Sequence, residues 1–183
     1  MNLSPSDWIS QGLFAIFAKS CFSSFFYILS PFLFFISIHM ERSLIILKPD
    51  TIHRGLIGEV LARIEQRGLK PIALKMANVT REKLDEHYGH LTSKPFYAEI
   101  VAYMTMGPVV FVIVEGDNAV GAMRQLCGAT DPAQADMGTV RADFATTIRY
   151  NLIHASDSVE NAAVEIERFF SESEICGYER KVI

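Results

Sequence analysis

PVVFVIVEG, residues 108–116, packs β-branched residues between a proline and a glycine, the composition of a buried strand. Apolar residues at helical spacing follow over 118–126, so the strand feeds a helix. Upstream, SLIILK (43–48) is a shorter apolar run closed by Pro49 and Asp50, and it too predicts a strand. GLIGEVLARIEQRG (55–68) comes next, with Leu56, Ile57, Val60, Leu61 and Ile64 on one helical face and Gly68 as the stop. KPIALKMANV (70–79) predicts a further strand. Thr80 then caps TREKLDEHYGHL (80–91), and Phe96 to Tyr103 forms a short amphipathic helix. Downstream, GATDPAQADMGTVRADF (128–144) has little periodicity and reads as a long loop, of a length usually tied to function or disorder. Leu152 to His154 make the last strand. The final helix takes Asp157 as its cap with Glu160 three residues on, and turns Val159, Ala162, Ala163, Ile166, Phe169 and Phe170 inward.

With the extra short helices set aside, the order is βαββαβ. That is the ferredoxin-like pattern of the α+β class, a four-stranded antiparallel sheet with helices on one face. Fold alone says little about activity.

Composition narrows the possibilities. The chain has 183 residues, a net charge of -4 and no stretch of five or more basic residues, which argues against a nucleic-acid scaffold but leaves local sites for small anions. Cys21, Cys127 and Cys176 lie far apart without metal or disulfide spacing, so a reducing compartment, the cytoplasm, is the expected setting. Residues 1–39 differ from the rest: they hold eight of the 13 phenylalanines but a single basic residue, Lys19, and a single acid, Asp7. Ser20 to Ile38 is an uncharged run of 19 residues, about the length that crosses a bilayer. Three expectations compete for this extension: an over-extended start before Met40, which is favoured, a membrane anchor, or a targeting segment. Residues 40–183 form the single domain.

No glycine-rich nucleotide loop of the GxxxxGK[ST] or GxGxxG kind occurs, so any phosphate chemistry has to use side chains. Lys48 ends a strand, Arg124 lies on a helix and Arg141 in the long loop. His154 sits in NLIHASD (151–157), beside the free amides of the final helix, where anions are attracted. A neutral imidazole is a nucleophile that accepts and releases a phosphoryl group. Its second nitrogen needs an anchor, and Glu165, at the edge of the final helix's apolar stripe, is the candidate. Taken singly, each of these has a plain structural reading. His154 is a packed strand-end residue, Lys48, Arg124, Arg141 and Glu165 are solvated charges, Tyr88 and Phe96 are core aromatics, and Asn151 caps a turn. Their joint occurrence carries the chemical reading.

Residues 40 to about 175 resemble the nucleoside diphosphate kinase family along nearly their whole length. NLIHASD fits its active-site pattern of Asn, two apolar residues, His, Gly or Ala, Ser and Asp. ERSLIILKPD (41–50), KPFYAEIVAYMTMGPVV (94–110), GATDPAQADMGTVRADF and SDSVENAAVEIERFF (156–170) match its other blocks in order. The resemblance implies a ping-pong transfer of the γ-phosphate of a nucleoside triphosphate, usually ATP, to the histidine and on to a diphosphate. It assigns phosphorylation to His154, orientation of the ring to Glu165 and a supporting hydroxyl to Ser156. Lys48, Tyr88, Arg124, Thr130 and Arg141 are implied to hold phosphates, Asn151 with Lys48 the sugar hydroxyls, and Phe96 the base. Asp157 is implied to approach a metal through water. Magnesium is expected on the nucleotide phosphates rather than in a protein cage. Stacking on Phe96 reads no base edge, so broad base tolerance is expected.

A homo-oligomer is implied, and the short segment after the final helix favours a tetramer over a hexamer. Ala155 stands where glycine is common, and its Cβ would be strained if the backbone there needed positive φ. Two other classes of protein fit less well: an inactive nucleotide-binding module, and a membrane-tethered signalling protein in which residues 1–39 act.

Overall fold

The computed structural model describes residues 40–180, and the expectations for residues 1–39 fall outside them. Among the described residues, no helix is long and apolar enough to cross a membrane.

In β1 (Glu41–Leu47), Leu44 to Leu47 are all buried, because the strand lies inside the sheet and both its faces are covered. A one-turn helix, α1 (Pro49–His53), follows directly, with Pro49 supplying the fixed φ of a first helical position. Then come α2 (Ile57–Gln66), β2 (Lys70–Ala77), α3 (Arg81–His87) and α4 (Tyr97–Met104). After these the chain forms β3 (Val109–Gly116), α5 (Ala119–Cys127), α6 (Val140–Phe144), β4 (Ile153–Ala155) and α7 (Val159–Phe169). The four strands pair antiparallel in the order β2-β3-β1-β4, which is the ferredoxin-like arrangement. Ile46 faces Phe111 on one side and His154 on the other, so the register sets the histidine beside the end of β1.

Helices cover both faces of the sheet, not one. Ile45, Leu47, Val112 and Val114 pack against Val60 and Ile64 of α2 and Met123 of α5. On the opposite face, Leu44, Ile46, Phe111 and Ile113 pack against Leu84 of α3, Met104 of α4 and Ile166 of α7. The reason lies in β1 and β3, which are apolar at successive positions rather than alternate ones, so each face needs a lid. Truncating a fully buried member such as Ile64 to alanine should cost about 2–5 kcal/mol.

Three local expectations change. The long loop ends in a helix, α6, because the Thr139 hydroxyl accepts from Ala142 N at 3.3 Å and caps it. The cap of α7 is Ser158, not Asp157: Ser158 Oγ accepts from Asn161 N at 3.1 Å, while Asp157 Oδ1 takes the Asn161 side-chain amide at 2.6 Å. With the helix starting there, Val159 and Ala163 point to solvent. The cap at Thr80 is as expected, its hydroxyl accepting from Lys83 N.

Candidate active site

His154 lies on β4 with its ring partly buried, and its Nε2 is 3.2 Å from both oxygens of Glu165. The same carboxylate accepts from Ser156 Oγ at 2.6 Å, and Ser156 is itself fixed by Leu44 N at 3.1 Å. Burial alone would push the Glu165 carboxyl up. The hydrogen bonds from His154 and Ser156 outweigh it, so the group stays ionised below the usual carboxylate range. An ionised Glu165 can only accept, so Nε2 carries the proton and Nδ1 keeps the free lone pair.

His87, at the end of α3, closes the far side. Its ring stands edge-on to that of His154 with centroids 4.9 Å apart, and its Nδ1 is 3.3 Å from Arg168 Nη1. Burial first, and the neighbouring His154 next, hold His87 well below the ordinary imidazole range, so it packs as a neutral ring.

The turn before β4 is the most constrained backbone in the site. Leu152 has φ 69°, and Ile153 N donates to Asn151 O at 2.8 Å, so Leu152 is the centre of a strained γ-turn. Three residues at the junction of β1 and α1 hold it. Asp50 Oδ2 accepts from Leu152 N at 3.2 Å, and Leu152 O accepts from Lys48 N at 2.8 Å and Thr51 Oγ1 at 2.6 Å. Asp50 is buried and also accepts from the Tyr103 hydroxyl at 2.5 Å and Thr51 N at 3.1 Å. The strain anticipated at Ala155 does not arise, since among the described non-glycine residues only Asn118 and Leu152 have positive φ.

Lys48 and Asn151 meet across this turn, Nζ donating to Oδ1 at 2.6 Å, and Asn151 Nδ2 donates to Thr130 O at 3.2 Å. Burial, reinforced by Arg141, lowers the Lys48 ammonium to about 8. Arg141 ties the long loop to β4: Nη1 donates to Gly128 O and Nη2 to Ile153 O, each at 2.7 Å, and Nε to Asn151 O at 3.3 Å. Two of its five N–H groups remain for a ligand. Gly128 permits this closure, with φ 78° and no room for a Cβ beside Thr139.

Two adjoining cavities open on these residues. The first, about 480 Å³, is polar and contains Lys48, Tyr88, Arg124, Thr130, Arg141, Asn151, His154, Asp157 and Glu165. Burial and then Glu165 push the Tyr88 phenol up, so it stays a donor. The second, about 460 Å³, shares Lys48, Tyr88, Thr130 and Asn151, and is walled by Phe96 and Ile148, both exposed. Ser156 lies beneath Glu165 and lines neither. The arrangement is a nucleophilic nitrogen at the floor of a cationic pocket that continues into an apolar slot.

The sequence profile of a family described as nucleoside diphosphate kinase matches residues 41–175. The chain belongs to the nucleoside diphosphate kinase family. It is 52% identical over 143 residues to the nucleoside diphosphate kinase of Thermomicrobium roseum, covering 78% of this chain and 96% of the relative. It is 49% identical over 142 residues to that of Dehalococcoides mccartyi, covering 78% of this chain and 100% of the relative. The solved structure of a halophilic nucleoside diphosphate kinase from Halobacterium salinarum in complex with CDP superposes with a TM-score of 0.75 at 39% identity, covering 78% of this chain and 95% of that one. Membership in the nucleoside diphosphate kinase family makes the chain a phosphotransferase acting on nucleotides.

Tyr103 and His87, which line the kinase pocket, and Asp50 and Thr51, which brace the turn at Leu152 behind it, did not stand out in the sequence. An Asp after Pro49 reads as a strand stop, and His87 as one polar position of an exposed helix. The donor chemistry also bears on metal. Among the described residues, one trio, His87, His154 and Glu165, brings ligand atoms within 4.8 Å of one another. It is rich in nitrogen and has the Arg168 guanidinium beside it, which suits no magnesium ion. Asp157, a carboxylate, lies exposed at the rim of the polar cavity.

Proposed function

We propose that residues 40–183 form a catalytic unit that moves the γ-phosphate of a nucleoside triphosphate, typically ATP, to a nucleoside diphosphate through a phosphohistidine at His154. The observation that carries this reading is the grip of Glu165 on Nε2, which leaves the Nδ1 lone pair free beside a cationic cavity. Nδ1 attacks the γ-phosphorus, the bond to the bridging oxygen of the β-phosphate breaks, and the diphosphate leaves with that electron pair. The positive charge gained by the ring is balanced by Glu165, with Ser156 fixing the carboxylate. A second diphosphate then attacks the phosphorus through its terminal oxygen, and the N–P electrons return to Nδ1.

Arg124, Arg141, Tyr88 and Thr130 hold the phosphates, a task of positioning and charge stabilisation rather than covalent chemistry. Lys48 and Asn151 hold the sugar hydroxyls, and the base lies against Phe96. Magnesium bound to the phosphates would neutralise their charge, and Asp157 would be the carboxylate to hold it through water. A homo-oligomer is supported by the edge strand β2, where Leu74 and Met76 are each 54% exposed. The reduced thiols of Cys127 and Cys176 suit a cytoplasmic setting.

The test uses γ-labelled ATP and magnesium, with the protein then split between acid, alkali and a chase of unlabelled GDP. Label that is acid-labile, alkali-stable and transferred to GTP is expected, and His154→Ala should lose it. If ATP binds and no label forms, a nucleotide-binding module becomes the better account.

A further inference from the structure

The apolar slot carries a charged pair at its rim. Glu99 lies three residues after Phe96 along α4, which sets the two on one helical face, and Arg149 directly follows Ile148 on the facing wall. Both line the slot, and their side chains meet in an ion pair, 52% and 53% exposed respectively. An exposed pair of this kind contributes little to stability, so a ligand can remodel it at small expense. One carboxylate and one guanidinium thus stand in the same slot as Phe96.

We infer that Glu99 and Arg149 read the base edge and favour guanine. Guanine presents N1–H and N2–H side by side, a matched pair of donors for the two oxygens of Glu99. Its O6 and N7 form the matched pair of acceptors that a guanidinium bridges. Adenine offers each partner a single contact: one N6–H to the carboxylate and one ring nitrogen to the guanidinium. The difference is therefore two hydrogen bonds, made at a half-solvated rim. That position reduces the selectivity to roughly 5- to 10-fold, the low end for bidentate base contacts. Base choice is then narrower than stacking on Phe96 alone implies.

Such selection presupposes the transfer chemistry proposed above, and the experiment separates the two. Labelled phosphoenzyme is isolated and its second-order discharge rate measured with GDP, IDP, 7-deaza-GDP and ADP. GDP should be fastest, about 5- to 10-fold above ADP, with IDP, which lacks N2, and 7-deaza-GDP, which lacks N7, in between. Glu99→Ala should abolish the difference between GDP and IDP, and Arg149→Ala that between GDP and 7-deaza-GDP. Equal rates for all four diphosphates with the unaltered protein would overturn the inference and leave the transfer intact. A guanine preference that survives both substitutions would also overturn it, since another group would then be reading the base. Discharge by none of them would overturn the transfer itself.

Discussion

Removing the Asp50 carboxylate tests whether the turn at Leu152 is held by it or merely lies near it. In Asp50→Ala, three donors lose their acceptor: Leu152 N–H, Thr51 N–H and the Tyr103 hydroxyl, and all three residues are buried. Each orphaned donor costs about 1–3 kcal/mol, and partial relaxation brings the total to about 3–5 kcal/mol. Part of that relaxation comes from Leu152, whose left-handed backbone stores about 1–2 kcal/mol that it gives up when the clamp opens. Asn151 precedes the turn and His154 follows it, so both shift. A displacement of about 1 Å at the nucleophile should slow phosphoenzyme formation roughly 100-fold. Urea unfolding gives the first quantity through its midpoint and slope, and single-turnover labelling gives the second. Asp50→Asn, which keeps the oxygen that accepts from Tyr103 and Thr51 N but turns an amide N–H towards Leu152 N–H, should fall between. An Asp50→Ala protein within about 0.5 kcal/mol of the parent and with its labelling rate would refute the reasoning.

Lys48 makes stability depend on pH in a window set by its burial. Its ammonium is lowered from 10.5 to about 8 in the fold, so between these values the unfolded chain binds more protons and stability rises with pH. The gain from this group approaches about 3 kcal/mol by the upper end, and Lys48→Met should remove that slope in unfolding curves collected without nucleotide. Over the same window the neutral amine loses its hold on the ligand, so the KM for nucleotide should climb above pH 8 in the parent. Glu165→Gln removes the charge that fixes Nε2–H. Phosphoenzyme formation should slow by on the order of 100-fold or more, measured by rapid quench, while nucleotide affinity changes little.

The strand of residues 108–116 and the pairing of His154 with Glu165 were legible because each rests on local spacing. β-branched residues define the strand, and the helix after His154 is short enough to bring a carboxylate back to it. The covering of both sheet faces was missed, although the unbroken apolar run from Leu44 to Leu47 pointed to it, since a sheet with one wet face would not carry such a run. Asp50 was not legible, since its acceptor role depends on Leu152, 102 residues away, and on a backbone conformation that leucine rarely adopts. The Glu99–Arg149 pair was hidden for the same reason, with 50 residues separating its members. The cap of α7 was misread by one residue because Asp157 and Ser158 are both good caps, and the choice between them was made by where Asn161 came to lie.

β4 is three residues long and, among the described residues, has a neighbour on one side only. Its amides therefore report on a different kind of opening from those of β1 and β3, whose exchange with solvent deuterium requires the whole domain to unfold. Protection at His154, the β4 amide that the register turns towards β1, is set by local fraying, opposed by the grip of Arg141 and the turn at Leu152. The strand that carries the nucleophile is thus the part of the sheet whose rigidity an occupant of the pocket can still increase.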